Sequence, residues 1–246
     1  MKSLLRTLFD EHSWPWYRAP ANLLRGKVHQ IKSKLGLTSL AARRHAMVGP
    51  SHLWQMKRDF QISFLKSVGM SPEHYVLDFG CGVLRGGLPI IEYLNPGNYY
   101  GIESRKAVLE EGIATLHESG LHSKAPTLLL VADISQATLD RRFDFIWAFS
   151  VLIHMEDDVL DTYLQFVSTH LQDKGRMYAN VKIGNERDGR WQEFPVVSRS
   201  REFYTAAAER HGLRTVTIGT LQSLGHVSGS PGQDLQIMLQ FLHASP

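Results

Sequence analysis

An acid, a cysteine and four glycines crowd the ten residues from Asp78 to Gly87 in YVLDFGCGVLRGG, inside a run that begins apolar. Glycine loses more backbone entropy on ordering than any other residue, so such a cluster marks a main chain that turns tightly or comes close to something. A dinucleotide phosphate is one candidate. The pattern G-x-G-x-x-G, counted from Gly80 and Gly82, however meets Arg85 where its third glycine belongs. Asp78, two residues before Gly80, also repels a phosphate and attracts an ammonium group. The order strand, Asp78, x, Gly80, Cys81, Gly82 therefore points to a ligand with an amino-acid ammonium. Cys81 itself reads as a small residue in a tight turn, with no need of a reactive thiol. Two further acids end apolar runs, Glu103 in YYGIE and Asp133 in LLLVAD. Singly, each reads as easily as a solvated turn acid, and Asp78 as a helix cap; three at successive strand ends read better as one site.

Acids so far apart in sequence meet only if the chain returns each strand to the same edge. From Tyr75 onward strand-like and helix-like segments alternate. YVLDF, YYGIE, TLLLVADI, FDFIWAFSV, RMYANVKI, RTVTIGTL and DLQIMLQFL read as strands. LPIIEYL, SRKAVLEEGIATLHESG, MEDDVLDTYLQFVSTHLQDKG and SREFYTAAAERHG read as helices, three of them stopped by glycine. This alternation predicts an α/β fold: a doubly wound, mostly parallel seven-stranded sheet covered by helices on both faces, with ligands at the strand C-termini.

The chain has 246 residues, enough for one large domain or a domain with an appendage. Cys81 is its one cysteine, which excludes an internal disulfide and a thiolate metal cluster and suggests a reducing, cytoplasmic setting. No apolar run has the length of a membrane span, and no signal-peptide pattern opens the chain. Charge is unevenly placed. Residues 1–50 hold nine Lys and Arg against two acids, and the remainder holds eighteen against twenty-two. This suggests a basic N-terminal arm over residues 1–50 and a ligand-binding domain over 51–246. In the arm, Leu24, Val28, Ile31 and Leu35 share a helical face while Arg25, Lys27, Lys32 and Lys34 lie elsewhere, and SWPWY precedes them. A basic amphipathic helix with tryptophans suits peripheral contact with an anionic membrane; a helix packed on its own domain is the plainer reading.

With its glycine loop and three strand-end acids, the chain resembles class I S-adenosylmethionine-dependent methyltransferases over roughly residues 54–242. The resemblance implies a Rossmann-like methyltransferase fold and S-adenosyl-L-methionine as cofactor. It implies that Asp78, Gly80, Cys81 and Gly82 hold the amino-acid end, that Glu103 holds both ribose hydroxyls, and that Asp133 accepts from the adenine amine. The backbone amide of Ile134 would serve an adenine ring nitrogen, and Ser150 counts with the cofactor residues. One departure is Leu84, which stands where many members have a third glycine. In LRGG, YYGIE and SVLIHM the chain is similar to a subgroup associated with sugar or glycan O-methylation.

In such a fold the segment after the fourth strand, FSVLIHM, faces the methyl group. It lacks the Asn-Pro-Pro-Tyr and Asp-Pro-Pro-Tyr sequences of nitrogen methyltransferases, and FDFIWAFS ends in no carboxylate for a divalent ion. Both absences imply metal-free transfer to oxygen. His154 is the best available general base, since an unperturbed imidazole titrates near neutrality; packing or helix capping is its plainer role. His226, in GHVSG, is a weaker candidate for the base and reads more readily as a surface or turn residue. The loop GNERDGRWQEFPVVSRS would lie over the acceptor, with Trp191 beside Arg187, Arg190 and Arg199 suited to a sugar bearing phosphate or carboxylate. The expected activity is methylation of a sugar or glycan hydroxyl, with another small-molecule acceptor as the second reading. The rival outside enzymology is a non-catalytic, nucleic-acid-associated module. The basic arm is its support, but the aromatic and basic mixture fits no recognised nucleic-acid motif.

Overall fold

The structure, a computed structural model, describes Arg44 and residues 47–244. Contacts divide the chain between Ala46 and Met47, and Met47–Pro246 forms one compact unit. The amphipathic face from Leu24 to Leu35 and the SWPWY segment lie outside the described residues.

Nine strands are described: β1 (Val76–Phe79), β2 (Tyr99–Glu103), β3 (Thr127–Leu130), β4 (Phe143–Ala148), β5 (Leu171–Val181), β6 (Gly189–Trp191), β7 (Phe194–Val196), β8 (Leu213–Thr220) and β9 (Ile237–His243). Seven build one sheet in the order β3-β2-β1-β4-β5-β9-β8. β1 to β5 run parallel, β9 is antiparallel to β5, and β8 is antiparallel to β9. From β1 the chain winds outward through β2 and β3, then crosses back to β4 on the other side. The strand order thus reverses between β1 and β4, where a doubly wound sheet opens a crevice at its carboxyl edge.

Side-chain alternation divides the core in two. Leu77, Ile146, Met177 and Leu239 face α4 (Asp157–His170) and α5 (Arg201–Glu209) in one buried cluster. Val76, Trp147, Tyr178 and Met238, one residue out of step, face α1 (Trp54–Ser67), α2 (Gly87–Tyr93) and α3 (Lys106–Glu118). Trp147 is the largest fully buried side chain, and its indole Nε1 donates to Gln61 Oε1 at 2.9 Å, so burial leaves no orphaned donor. Phe64 of α1 packs on the same ring at 5.6 Å, with Phe149 stacked on it at 5.5 Å.

Three local features differ from the sequence reading. First, α1 had no counterpart in it, because the buried face of this helix mixes Lys57 and Gln61 with Phe60, Phe64 and Leu65 and so blurs the apolar stripe. Second, α4 stops at His170 where the glycine stop suggested Gly175. Leu171 already pairs with Phe143, and a Cβ on Gly175 would sit 2.8 Å from the Phe143 carbonyl oxygen, so that glycine serves the sheet. Third, the polar loop folds as a β6–β7 hairpin turning through Gln192 at φ 54°, a left-handed turn without the glycine that usually signals one.

Candidate functional site

A cavity of about 570 Å³ opens along the carboxyl edge of β1, β2 and β4. The glycine loop forms its floor. Gly80 N and Cys81 N both donate to Ile102 O, at 2.8 and 3.0 Å, which ties the loop to β2. Gly80 sits at φ 74°, and a Cβ there would fall 2.7 Å from Val151 Cγ2, so the position excludes any side chain. Leu84 adopts φ 61°, the left-handed conformation a glycine would take, while its side chain is fully buried between α2 and α3. The departure from the expected glycine is thus absorbed by packing, and the loop path keeps its shape. Gly86 and Gly87 do not face the cavity in the same way. Added Cβ atoms there would meet Gln61 Oε1 at 2.3 Å and Tyr99 Oη at 2.5 Å, so this pair lets α2 close onto α1 and β2.

Asp78 and Glu103 line the cavity together, each about 4% exposed. Tyr99 Oη donates to Asp78 Oδ2 at 2.6 Å. Burial pushes the Asp78 carboxyl up to about 7, against the Tyr99 hydrogen bond and with some help from the Glu103 charge. Glu103 Oε2 accepts from Gly82 N at 3.1 Å, and its Oε1 accepts from Ser104 N, Arg105 N and Arg105 Nε at 3.0 to 3.1 Å. Cys81 and Gly82 are also in the wall, and burial raises the Cys81 thiol well above its ordinary pKa, which keeps it protonated.

Asp133 stands apart from this pair. It is exposed and does not line the cavity; its carboxylate accepts from Ser135 N, Ser135 Oγ and Gln136 Nε2, capping the 3-10 turn Ile134–Gln136. Ala132 and Ile134 on either side of it do line the cavity.

Beyond β4 the chain bends sharply. Ser150 has φ 61°, and its backbone N donates to Asn180 Oδ1 at 2.6 Å; Asn180 Nδ2 in turn donates to Gln236 Oε1. This relay holds a strained residue at the cavity floor, where such strain commonly marks function. His154 follows, in the 3-10 turn Leu152–His154. Its Nδ1 lies 2.7 Å from Pro195 O, and a carbonyl only accepts, so Nδ1 carries the proton and Nε2 keeps its lone pair. The imidazole stacks on Trp191 at 5.7 Å and lies 5.6 Å from Phe194. Burial lowers its pKa, with Arg105 pushing the same way and the Pro195 carbonyl opposing, so the ring is neutral at neutral pH.

Trp191 and Phe194 reach the cavity wall, but Arg187, Arg190 and Arg199 do not. Arg199 is held by Asp157 at 2.8 Å and Asp188 at 2.6 Å, and Arg190 donates to Glu193 O. The expectation of cations beside the tryptophan therefore fails in its particulars, because acids in α4 and the same loop take up Arg199. His226 also differs from its reading as a surface residue. It is 1% exposed, in the cavity wall against Phe60 and Phe149, with Nδ1 3.1 Å from Asp234 Oδ1. Lys57, Gln61, Gln233 and Gln236 complete that wall and escaped the sequence reading. The one trace of Lys57 and Gln61 is their i, i+3 spacing to Phe60 and Phe64 on α1.

Residues 77–177 match a family profile described as a methyltransferase domain. A glycopeptide N-methyltransferase superposes with TM-score 0.58 at 14% identity, covering 76% of this chain and 90% of that one. Magnesium protoporphyrin IX methyltransferase from Synechocystis, with bound S-adenosylmethionine, gives 0.57 at 15% identity, covering 84% and 85%. An S-adenosylmethionine-dependent methyltransferase from Clostridium acetobutylicum gives 0.58 at 16% identity, covering 90% of this chain and all 100% of that one. These likenesses establish the Rossmann-like methyltransferase fold. The match spans the strands and loops that build the cavity floor, and the fold around it is that of the methyltransferases. Methyl transfer from S-adenosyl-L-methionine is the chemistry to which this domain match and fold point. The cavity fits that molecule in kind: two buried carboxylates, Asp78 and Glu103, answer an ammonium and a pair of hydroxyls beside a glycine-lined floor.

Proposed function

We propose that the enzyme methylates a hydroxyl group of a sugar or glycan-linked acceptor, without a metal ion, and that His154 takes the acceptor proton. The observation that carries this reading is His154 itself: a neutral imidazole in the cavity wall, its Nδ1 proton fixed on Pro195 O, its ring stacked on Trp191. The bound cofactor supplies an electrophilic methyl on a sulfonium, so the protein must place a hydroxyl in line with it and accept one proton. Asp78 would hold the ammonium and Glu103 the ribose hydroxyls, Gly80, Cys81 and Gly82 would give the backbone room to approach, and Ala132, Asp133 and Ile134 would edge the adenine. With Asp133 committed to its own turn, the Ile134 backbone is the better placed of the two for adenine. Ser150 and His154 then flank the reacting region. Trp191 and Phe194 offer the flat apolar faces on which a pyranose ring stacks, and they shield the imidazole from water.

The test is mass spectrometry of products from a panel of nucleotide sugars and lipid-linked glycans, followed by kinetics of His154→Ala on the acceptor found. General-base loss lowers kcat by roughly 10² to 10⁴ while cofactor affinity stays nearly constant. A folded variant with wild-type kcat would remove His154 as the base, and methylation confined to nitrogen acceptors would sink the hydroxyl assignment.

A further inference from the structure

Among the described residues, two cations in the cavity wall have no carboxylate within ion-pair distance. Lys57 of α1 is 7% exposed, and its ammonium makes no hydrogen bond or ion pair among the described residues. Arg85, 8% exposed, gives Nη1 to Val48 O at 2.9 Å and lies 5.9 Å from the Trp54 ring; its Nε is buried without a partner. The nearby acids are engaged elsewhere. Asp234 accepts from Ser228 N at 2.8 Å and Gly229 N at 3.0 Å and faces His226, while Asp78 is tied to Tyr99. Burial lowers Lys57 to about 8, the neighbouring Arg85 charge pushing the same way and Asp234 opposing; burial brings Arg85 down to about 10 against the attraction of Asp78. Two adjacent, desolvated cations that Asp234 and Asp78 offset only from beyond ion-pair distance are costly, and an incoming oxyanion relieves that cost with charge-assisted hydrogen bonds.

We propose that Lys57 and Arg85 form an oxyanion subsite that receives a carboxylate or phosphate carried by the methyl acceptor, so that the substrate is an acidic saccharide such as a uronate or a sugar phosphate. This rests on the reading of the acceptor as a sugar and deepens it. The subsite lies in the wall with His226, Gln233 and Gln236, whose amides and imidazole suit the remaining oxygens of an anionic sugar. It also replaces the role once expected of Arg187, Arg190 and Arg199, none of which reaches the cavity. The carboxylate of the cofactor's own methionine is the other source of the same chemistry, and the experiment separates the two.

The full chain, saturated with S-adenosylhomocysteine, is titrated with sulfate by calorimetry at pH 7 and pH 9, and at pH 7 with glucuronate and glucose. Sulfate keeps its charge across that range, so any pH dependence belongs to the protein. The expected result is sulfate binding that weakens about tenfold at pH 9, as Lys57 loses its proton, with glucuronate bound in preference to glucose. Lys57→Met should weaken sulfate at least tenfold and leave S-adenosylhomocysteine affinity within twofold; Lys174→Gln, an exposed control, should change neither. Absent sulfate binding in the wild type, or binding unchanged in Lys57→Met, overturns the proposal. Loss of S-adenosylhomocysteine affinity in that variant assigns the cations to the cofactor's carboxylate and overturns it equally. Should Lys57→Met fail to fold, Lys57→Gln takes its place in the same titrations, because Asp78 also ionises between pH 7 and pH 9 and the wild-type pH dependence alone does not isolate Lys57. None of these readings requires turnover, so failure to methylate a sugar hydroxyl with the sulfate site intact would count against the hydroxyl assignment only.

Discussion

At the scale of single residues the site stores a conflict between folding and binding, and Asp78 shows it best. Its folded-state pKa of about 7 lies above the ordinary 3.8 of an aspartate, because burial disfavours the charged form. A carboxyl raised in this way contributes stability that is fully present below pH 3.8 and is lost as pH rises through about 7. At pH 8 the ligand-free protein therefore holds a buried anion that Tyr99 and Arg85 offset in part and an incoming ammonium relieves further. Asp78→Asn keeps an acceptor for Tyr99 and removes that charge. The variant's ligand-free melting temperature should exceed the wild type's at pH 8, on the order of 5 °C, with the advantage gone at pH 4. Its cofactor affinity should fall about 10- to 100-fold with the lost charge-assisted bond. Equal melting curves at pH 8 would show that Asp78 is not held under strain. The sequence disclosed this residue because an acid before a glycine loop has few other uses. It did not disclose Lys57, Arg85 or His226 as neighbours, since what joins them is the fold of α1 and the β8–β9 turn onto one cavity and no spacing along the chain records it.

At the scale of elements, the parallel strands and the helices α2 to α5 were legible because each carries one clear periodicity and a glycine or polar break at its end. Elements that serve the site were hidden. The β6–β7 hairpin has three-residue strands and no glycine at its turn, yet it brings Trp191 over His154. Trp191 is 38% exposed, so it borders solvent on one side and the imidazole on the other. Its loss should therefore be read in two places. Trp191→Ala should raise the acceptor KM by roughly 2- to 10-fold, the worth of one aromatic stacking contact, with cofactor affinity unchanged. It should also hydrate His154, whose pKa burial now lowers, and so move the acid limb of the kcat–pH profile upward toward the ordinary histidine value. A KM effect without movement of the acid limb would mean that the tryptophan touches the acceptor but does not shield the base. Unchanged KM and pH profile together would remove the hairpin from the active site.

At the scale of the whole molecule, charge changes sign at the boundary where the contacts divide. Among the described residues, both buried clusters lie within Met47–Pro246 and begin at Phe60. All nine basic residues of the first fifty lie before Met47, against two acids, whereas residues 47–246 carry eighteen basic and twenty-two acidic side chains. Among the described residues no helix is long and apolar enough to cross a membrane. We propose that contact with an anionic surface runs through the first segment, since residues 47–246 carry a net negative charge. Each Lys or Arg near such a surface is worth about 1 kcal/mol, and the attraction fades within a Debye length of ~10 Å at 0.1 M salt. We therefore expect residues 47–246, expressed alone, to fold and to bind S-adenosylhomocysteine within about twofold of the full chain. The full chain should sediment with phosphatidylserine vesicles at low salt and be released by 0.5 M NaCl, while the shorter chain stays in the supernatant. Sedimentation of both chains, or of neither, would end the idea of a membrane-surface arm. Loss of S-adenosylhomocysteine binding in a folded 47–246 chain would instead make the first segment part of the cofactor site. Tight, salt-sensitive binding of the full chain to RNA but not to vesicles would revive the nucleic-acid reading for that segment alone, because the charge balance of the remaining two hundred residues opposes a polyanion.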